Sequence, residues 1–232
     1  MTTMFAIILF VGTMGLSLWA SFAVKRVYKR YLEVPALNGI TGAAAAQRIL
    51  SDNGIADVSI EAQEGMLGDH YDPMHKRLVL STENYYGQSI SAVAVAAHEV
   101  GHAIQHARAY APLQWRMLAV GATTFASQLV MWLPLIGMFT GFVNTTTGMM
   151  LMAVGWGIIM MFNLVTLPVE FDASRRAKAA LAHCGLLSTI GETRGVEKVL
   201  NAAAFTYVAA FITSLGYFLW HLIPLLTGRS EE

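Results

Sequence analysis

The stretch Ala92-Val93-Ala94-Val95-Ala96-Ala97-His98-Glu99-Val100-Gly101-His102-Ala103-Ile104-Gln105-His106 decides how the rest of the chain is read. It is a run of good helix formers, and no proline falls between Ala92 and Ala111. Positions four apart lie on one helix face, so His98 and His102 can grip one Zn²⁺ through their imidazoles. Glu99 falls beside them, awkward for the metal's tetrahedron but suited to taking a proton from a metal-bound water. The small residues around them (Ala96, Ala97, Gly101, Ala103) let other backbone approach the metal. A chance His-Glu-x-x-His on an amphipathic helix is the competing reading. In so apolar a segment, two histidines and a glutamate are costly without a purpose.

Composition separates the chain from soluble enzymes. Of 232 residues, 55% are hydrophobic and 13% charged, against about 25% charged in ordinary soluble domains. Fifteen basic and fifteen acidic side chains balance, and nothing points to a nucleic-acid partner. The one cysteine, Cys184, excludes an intramolecular disulfide and a cysteine-based zinc site. It reads as a small apolar residue.

From Met4 to Val24 every residue is uncharged, the length of a bilayer-crossing helix. Lys25, Arg26, Lys29 and Arg30 follow it, where a cleaved signal peptide would carry its charges before the apolar run. The expectation is an uncleaved anchor, N-terminus outside, with the following residues in the cytoplasm. Leu113 to Phe139, Gly148 to Leu167 and Phe205 to Leu226 are further candidate spans, four in all. Arg175, Arg176, Lys178, Arg194 and Lys198 fall between the third and fourth, on the same predicted side. Pro134 is a candidate kink.

Residues 36–110 form the one long stretch of soluble character. Thr41 suits the cap of a helix through Leu50 that ends near Asn53-Gly54. Val58-Ser59-Ile60 and Lys76–Ser81 read as strands, with the turn-rich Gly65–His75 between them. In zinc endopeptidases a strand just before the metal helix commonly offers its edge to an extended substrate. Leu78-Val79-Leu80 is the candidate edge, against an ordinary hairpin strand.

The expected organisation is an anchor (1–24), a cytoplasmic α+β part ending in the metal helix (25–110), two spans (111–167), a cytoplasmic helical segment (168–203), and a last span with a short tail (204–232). The fold class is a mainly α membrane protein with about four transmembrane helices and a small α+β zincin-like catalytic part.

A catalytic zinc takes three protein ligands and keeps one position open. A third histidine six residues after the second is one common solution, but that position is Arg108. His106 continues the face of His98 and His102, yet a helix rises about 6 Å in four residues, which takes His106 off the same ion. It is left to support a ligand or to sit at the surface. In Leu167-Pro168-Val169-Glu170-Phe171-Asp172-Ala173-Ser174-Arg175-Arg176, Pro168 suits the first turn of a new helix. Glu170 then places a carboxylate at an apolar boundary, costly unless paired or bound to metal. Glu170 is the predicted third ligand. Asp172 is about 200° further round. It either holds a ligand histidine's second nitrogen, pairs with Arg175 or Arg176, or complements the helix dipole. Arg175 and Arg176 are candidates for a substrate carbonyl, although basic residues at a cytoplasmic face need no catalytic reason. Glu83, Glu192 and Glu197 lie in polar surroundings and are weaker ligands.

The motif His98-Glu99-Val100-Gly101-His102-Ala103-Ile104-Gln105, two spans, and then Leu-Pro-Val-Glu170-Phe-Asp-Ala-Ser-Arg-Arg-Ala resemble the bacterial YugP-like family of neutral zinc metallopeptidases. Asp69-His70-Tyr71-Asp72-Pro73 and Leu78–Ser81 also fit, so the resemblance covers most of the chain. More distantly, the layout is similar to HtpX-type membrane proteases, which carry Glu-x-x-x-Asp where position four after Glu170 is Ser174. The contact made by that aspartate therefore lacks its usual residue. The resemblance implies a gluzincin-like endopeptidase of the bacterial plasma membrane, with its zinc at the cytoplasmic interface.

The expected chemistry is peptide hydrolysis with one Zn²⁺ per chain on His98, His102 and Glu170, and Glu99 as the proton carrier. Its substrate is a protein or peptide, membrane proteins included, and its surroundings are membrane lipid. A lipid or amide hydrolase on the same zinc is one rival. Another is a non-catalytic scaffold with a closed four-ligand site recruiting His70, His75 or His106. An intramembrane site-two-type protease fits less well, because Glu83, Arg108 and Arg116 bracket the metal helix too closely.

Overall fold

A computed structural model describes residues 2–65 and 68–227. Met66 and Leu67 of the expected linker, and the short tail after Thr227, lie outside the described residues. The chain is mainly helical, in the order α1 (Thr2–Leu32), α2 (Gly42–Asp52), β1 (Ser59–Gln63), β2 (His70–Asp72), β3 (Arg77–Ser81), α3 (Thr82–Tyr86), α4 (Ile90–Ala107), α5 (Ala111–Thr140), α6 (Thr146–His183) and α7 (Ile190–Thr227), with a 3₁₀ turn at Phe142–Asn144. Among the described residues, α1, α5, α6 and α7 are the four helices long and apolar enough to cross a bilayer.

The chain divides into two compact units. One consists of the residues up to Trp19, Trp115–Leu167 and those from Thr206 on. It is an apolar bundle held by ring stacking and small-residue contacts. Phe5 stacks on Trp220 at 5.5 Å and Trp156 on Tyr217 at 4.6 Å. Asn163 donates to Ser214 Oγ at 3.0 Å, a polar tie of the kind that joins apolar helices.

The other unit is Ala20–Gln114 with Pro168–Phe205. Its core combines Ala45, Ile49 and Leu50 of α2, Leu78 and Leu80 of β3, Val93, Ala97, Val100 and Ile104 of α4, and Leu181 and Val199 from α6 and α7. Cys184 packs against it as a small apolar side chain. Thr41 caps α2 by accepting from the Ala44 N–H at 3.1 Å, and Asn53 closes its far end, as the sequence predicts. Ser89 caps α4 in the same way through Ala92.

Two expectations are corrected. First, the sheet runs β1-β3-β2, with β1 parallel and β2 antiparallel to β3. Leu78-Val79-Leu80 therefore lies on the central strand, buried at 0%, 3% and 0% exposure, and is no substrate edge. Its apolar run suits a strand covered on both faces. The edge nearer the metal helix is β2, three residues within the turn-rich linker. Second, Pro168 lies inside α6 rather than opening a new helix. Its missing N–H costs one helical bond, whereas a break beside an apolar span would orphan several backbone groups. The expected boundaries at 167/168 and 203/204 separate apolar from polar segments along α6 and α7 and are not helix ends. Beyond the uncharged run that ends at Val24, α1 continues to Leu32. The basic residues there alternate with Val27, Tyr28 and Tyr31, which pack into the core.

Candidate metal centre

α4 is a helix buried on nearly all sides. Half of its residues are alanine or valine, which lets α2, the sheet and α6 all pack close to it. The closest approach is at Gly101, where an added Cβ would lie 2.5 Å from the carbonyl oxygen of Ala173. That absence of a side chain lets α6 bring Glu170 over the two histidines.

His98, His102 and Glu170 converge, each offering an atom within 4.8 Å of the others'. His98 Nε2 is 3.1 Å and His102 Nε2 3.5 Å from the same Glu170 oxygen. The two imidazoles stand nearly perpendicular, with centroids 4.9 Å apart. Donor atoms on a tetrahedral zinc with arms of about 2.0–2.1 Å are separated by about 3.4 Å. Two nitrogens and one carboxylate oxygen at this spacing fit zinc in both chemistry and size. Glu170 is 2% exposed, so its charge requires cationic company. Burial opposes the charged form of His102, but the Glu170 and Glu99 carboxylates and the Gln105 side chain raise its pKa above the ordinary histidine value.

Glu99 is buried beside the cluster, and its Oε2 accepts the backbone N–H of Tyr71 on β2 at 3.1 Å. The edge strand thus orients the predicted proton carrier. The Tyr71 hydroxyl lies 2.9 Å from His106 Nδ1. Burial, then the charges of Asp57 and Asp72, push that phenol up to about 12, so it stays protonated at neutral pH. His106 lines a small pocket of about 250 Å³ with Tyr71, Ala103 and Lys76, one turn beyond the ligand cluster. His70 bonds to the Gly68 carbonyl and His75 to Asp72. Among the described residues, the one such His/Asp/Glu cluster is the three-ligand set.

Asp172 does not touch a ligand histidine. It pairs with Arg175 and Arg176 and accepts from Gln105 Nε2 at 3.0 Å. Both arginines are thus drawn to Asp172, and Arg176 also lies over the Tyr110 ring at 5.7 Å. Two contacts were not anticipated from the sequence. Gln105, fully buried, has Oε1 3.0 Å from His102 Nδ1. Ser174 Oγ lies 3.2 Å from His98 Nδ1, so the position four after Glu170 does meet a ligand histidine, through a hydroxyl. Helical spacing carries a weak signal for both, since Gln105 is three residues from His102 and Ser174 four from Glu170.

Two histidines and a buried glutamate that could hold a metal ion, with a second buried glutamate beside them and, among the described residues, four helices long and apolar enough to cross a bilayer, fit the class of membrane proteins with a metal-binding site. The chain matches the family described as "putative neutral zinc metallopeptidase" over residues 6–226, and it belongs to that family. It is 45% identical over 234 residues to the "Putative membrane protease YugP" of Bacillus subtilis (strain 168), covering 99% of this chain and 100% of that one. No solved structure matches it.

Proposed function

We propose that the chain is a membrane-embedded zinc metalloendopeptidase that hydrolyses peptide bonds. The observation that carries this reading is the pairing of a three-ligand cluster with a separate glutamate held by an edge strand. His98, His102 and Glu170 would hold one zinc per chain. When bound, the ion supplies Lewis acidity, polarising the scissile carbonyl and acidifying a water. Glu99 accepts the proton and returns it to the leaving amine. The Tyr71 N–H keeps that carboxylate pointed at its task. A closed scaffold site would need a fourth ligand, yet His70, His75 and His106 are engaged elsewhere.

The site faces the cytoplasm in this reading. Lys25, Arg26, Lys29, Arg30, Arg175, Arg176, Lys178, Arg194 and Lys198 all flank candidate spans on one side. Glu170 follows the apolar stretch ending at Leu167 by one helical turn, which brings the chemistry next to the bilayer and favours membrane or misfolded proteins as substrates.

The test is fluorescent casein and a fluorogenic phospholipid offered side by side to the detergent-purified chain and its Glu99→Gln variant. The proposal expects casein cleavage by wild type, none by the variant, and equal zinc in both. Lipid turnover without casein cleavage, or full activity in Glu99→Gln, contradicts it.

A further inference from the structure

We propose that Gln105 is a positioning residue for metal binding: its side-chain carbonyl fixes the His102 imidazole with hydrogen on Nδ1 and the Nε2 lone pair turned to the ion. The proposal rests on the metal centre described above and names what sets one of its ligands.

The amide's orientation follows from its partners. Gln105 is fully buried, and its Nε2 has two neighbours, the Val169 carbonyl oxygen at 2.7 Å and Asp172 Oδ2 at 3.0 Å. The Val169 carbonyl oxygen is an acceptor only, and the Asp172 side chain already accepts from Arg175 and Arg176. Each therefore needs a donor, and the NH₂ end has two hydrogens to give. The other end of the amide, Oε1, is left facing His102 Nδ1 at 3.0 Å. An oxygen without a hydrogen accepts only, so Nδ1 must carry one. In a neutral imidazole the second nitrogen, Nε2, is then the free base, and it is the atom 3.5 Å from Glu170.

The two ligand histidines differ in this respect. His98 Nδ1 meets the Ser174 hydroxyl, which both donates and accepts and so imposes no tautomer. His102 meets a group whose polarity is locked from α6 by a backbone carbonyl and an aspartate. Asp172 thus acts on the site through Gln105, and the amide joins the helix bearing two ligands to the helix bearing the third.

The test separates the acceptor from the donors. Gln105→Met keeps the volume and removes all three bonds. Gln105→Glu keeps an acceptor for His102 Nδ1 but sets an oxygen against the Val169 carbonyl and Asp172, at a cost to the α4–α6 contact. Zinc affinity of the detergent-purified full chain is measured by competition with a chromogenic chelator, with helix content followed by circular dichroism. His98→Ala serves as the control for the metal centre.

The expected result is zinc binding weakened about 10–100-fold in Gln105→Met, the usual cost of losing a hydrogen bond to a ligand histidine, and a clearly smaller loss in Gln105→Glu. Wild-type affinity in Gln105→Met, beside abolished binding in His98→Ala, overturns this proposal and leaves the metal centre standing. An equal loss in both variants, or failure of Gln105→Glu to fold, assigns Gln105 to joining the helices and also overturns it. Zinc binding unchanged by His98→Ala, or absent in wild type, brings down the metal-centre reading itself.

Discussion

Gly101→Ala is the substitution whose outcome the packing of α4 against α6 determines most sharply. On helix propensity alone it should stabilise α4 by about 1 kcal/mol. Here the new Cβ would stand 2.5 Å from the Ala173 carbonyl oxygen and 3.0 Å from its carbon. Ordinary contact starts near 3.4 Å, so the two backbones must part by about 0.5–1 Å, a strain of about 1–3 kcal/mol in a close-packed interior. The net stability change is then modest, about 0–2 kcal/mol of loss. Ala173 is three residues from Glu170 on the same helix, so the displacement carries the third ligand away from His98 and His102. Metal sites tolerate about 0.2 Å in a ligand distance. Zinc binding should therefore suffer more than folding, by about 10-fold or more. The assays are chelator competition for zinc and thermal unfolding in excess chelator. A variant that binds zinc within about twofold of wild type and melts no lower would refute the reasoning.

Two further outcomes follow from the sheet. Asp72 is held well below the usual carboxylate range by its hydrogen bond with the His75 ring, against the opposing effect of desolvation and with help from the His75 N–H, Arg77 and the Met74 N–H. Because the folded value is lowered, the stabilisation is present above the ordinary carboxylate pKa of about 4 and is lost as pH falls from there toward the folded value. The Met74 and His75 amides should keep their hydrogen-exchange protection at pH 5 and lose it in stronger acid, and Asp72→Asn should remove that pH dependence; protection that ignores pH in wild type counts against it. Leu80→Ala, at the centre of the core, should cost about 2–5 kcal/mol in denaturant unfolding, and a loss below about 1 kcal/mol would show that Leu80 is not a packed core residue.

The metal helix was readable from sequence because both its helical character and its ligand spacing are local, set within one run from Ala92 to His106. That Glu170 would lie against the two histidines was readable for a different reason, the cost of a carboxylate at an apolar boundary. Gln105, Ser174 and Tyr71 were not, because their parts depend on which element packs opposite them. Nothing in Gln105 itself says that a carbonyl and an aspartate of α6 will claim its nitrogen. β2 was hidden in the same way. His70-Tyr71-Asp72 is short and polar and becomes a strand only by pairing with β3. Once β2 takes that place, Leu78-Val79-Leu80 moves from edge to centre, a change no alternation pattern in β3 reveals. α6 runs through Pro168, where a new helix is expected from the sequence, because an uninterrupted helix is the cheapest exit for backbone from an apolar stretch.

The most direct measurement of the account is the zinc content of the detergent-purified chain beside His98→Ala and Glu170→Ala. About one zinc per chain in wild type, lost in both variants while helix content is retained, is the predicted result for a catalytic centre with three protein ligands. Zinc retained in Glu170→Ala would move the third ligand elsewhere, and no zinc in wild type would contradict the metallopeptidase reading altogether.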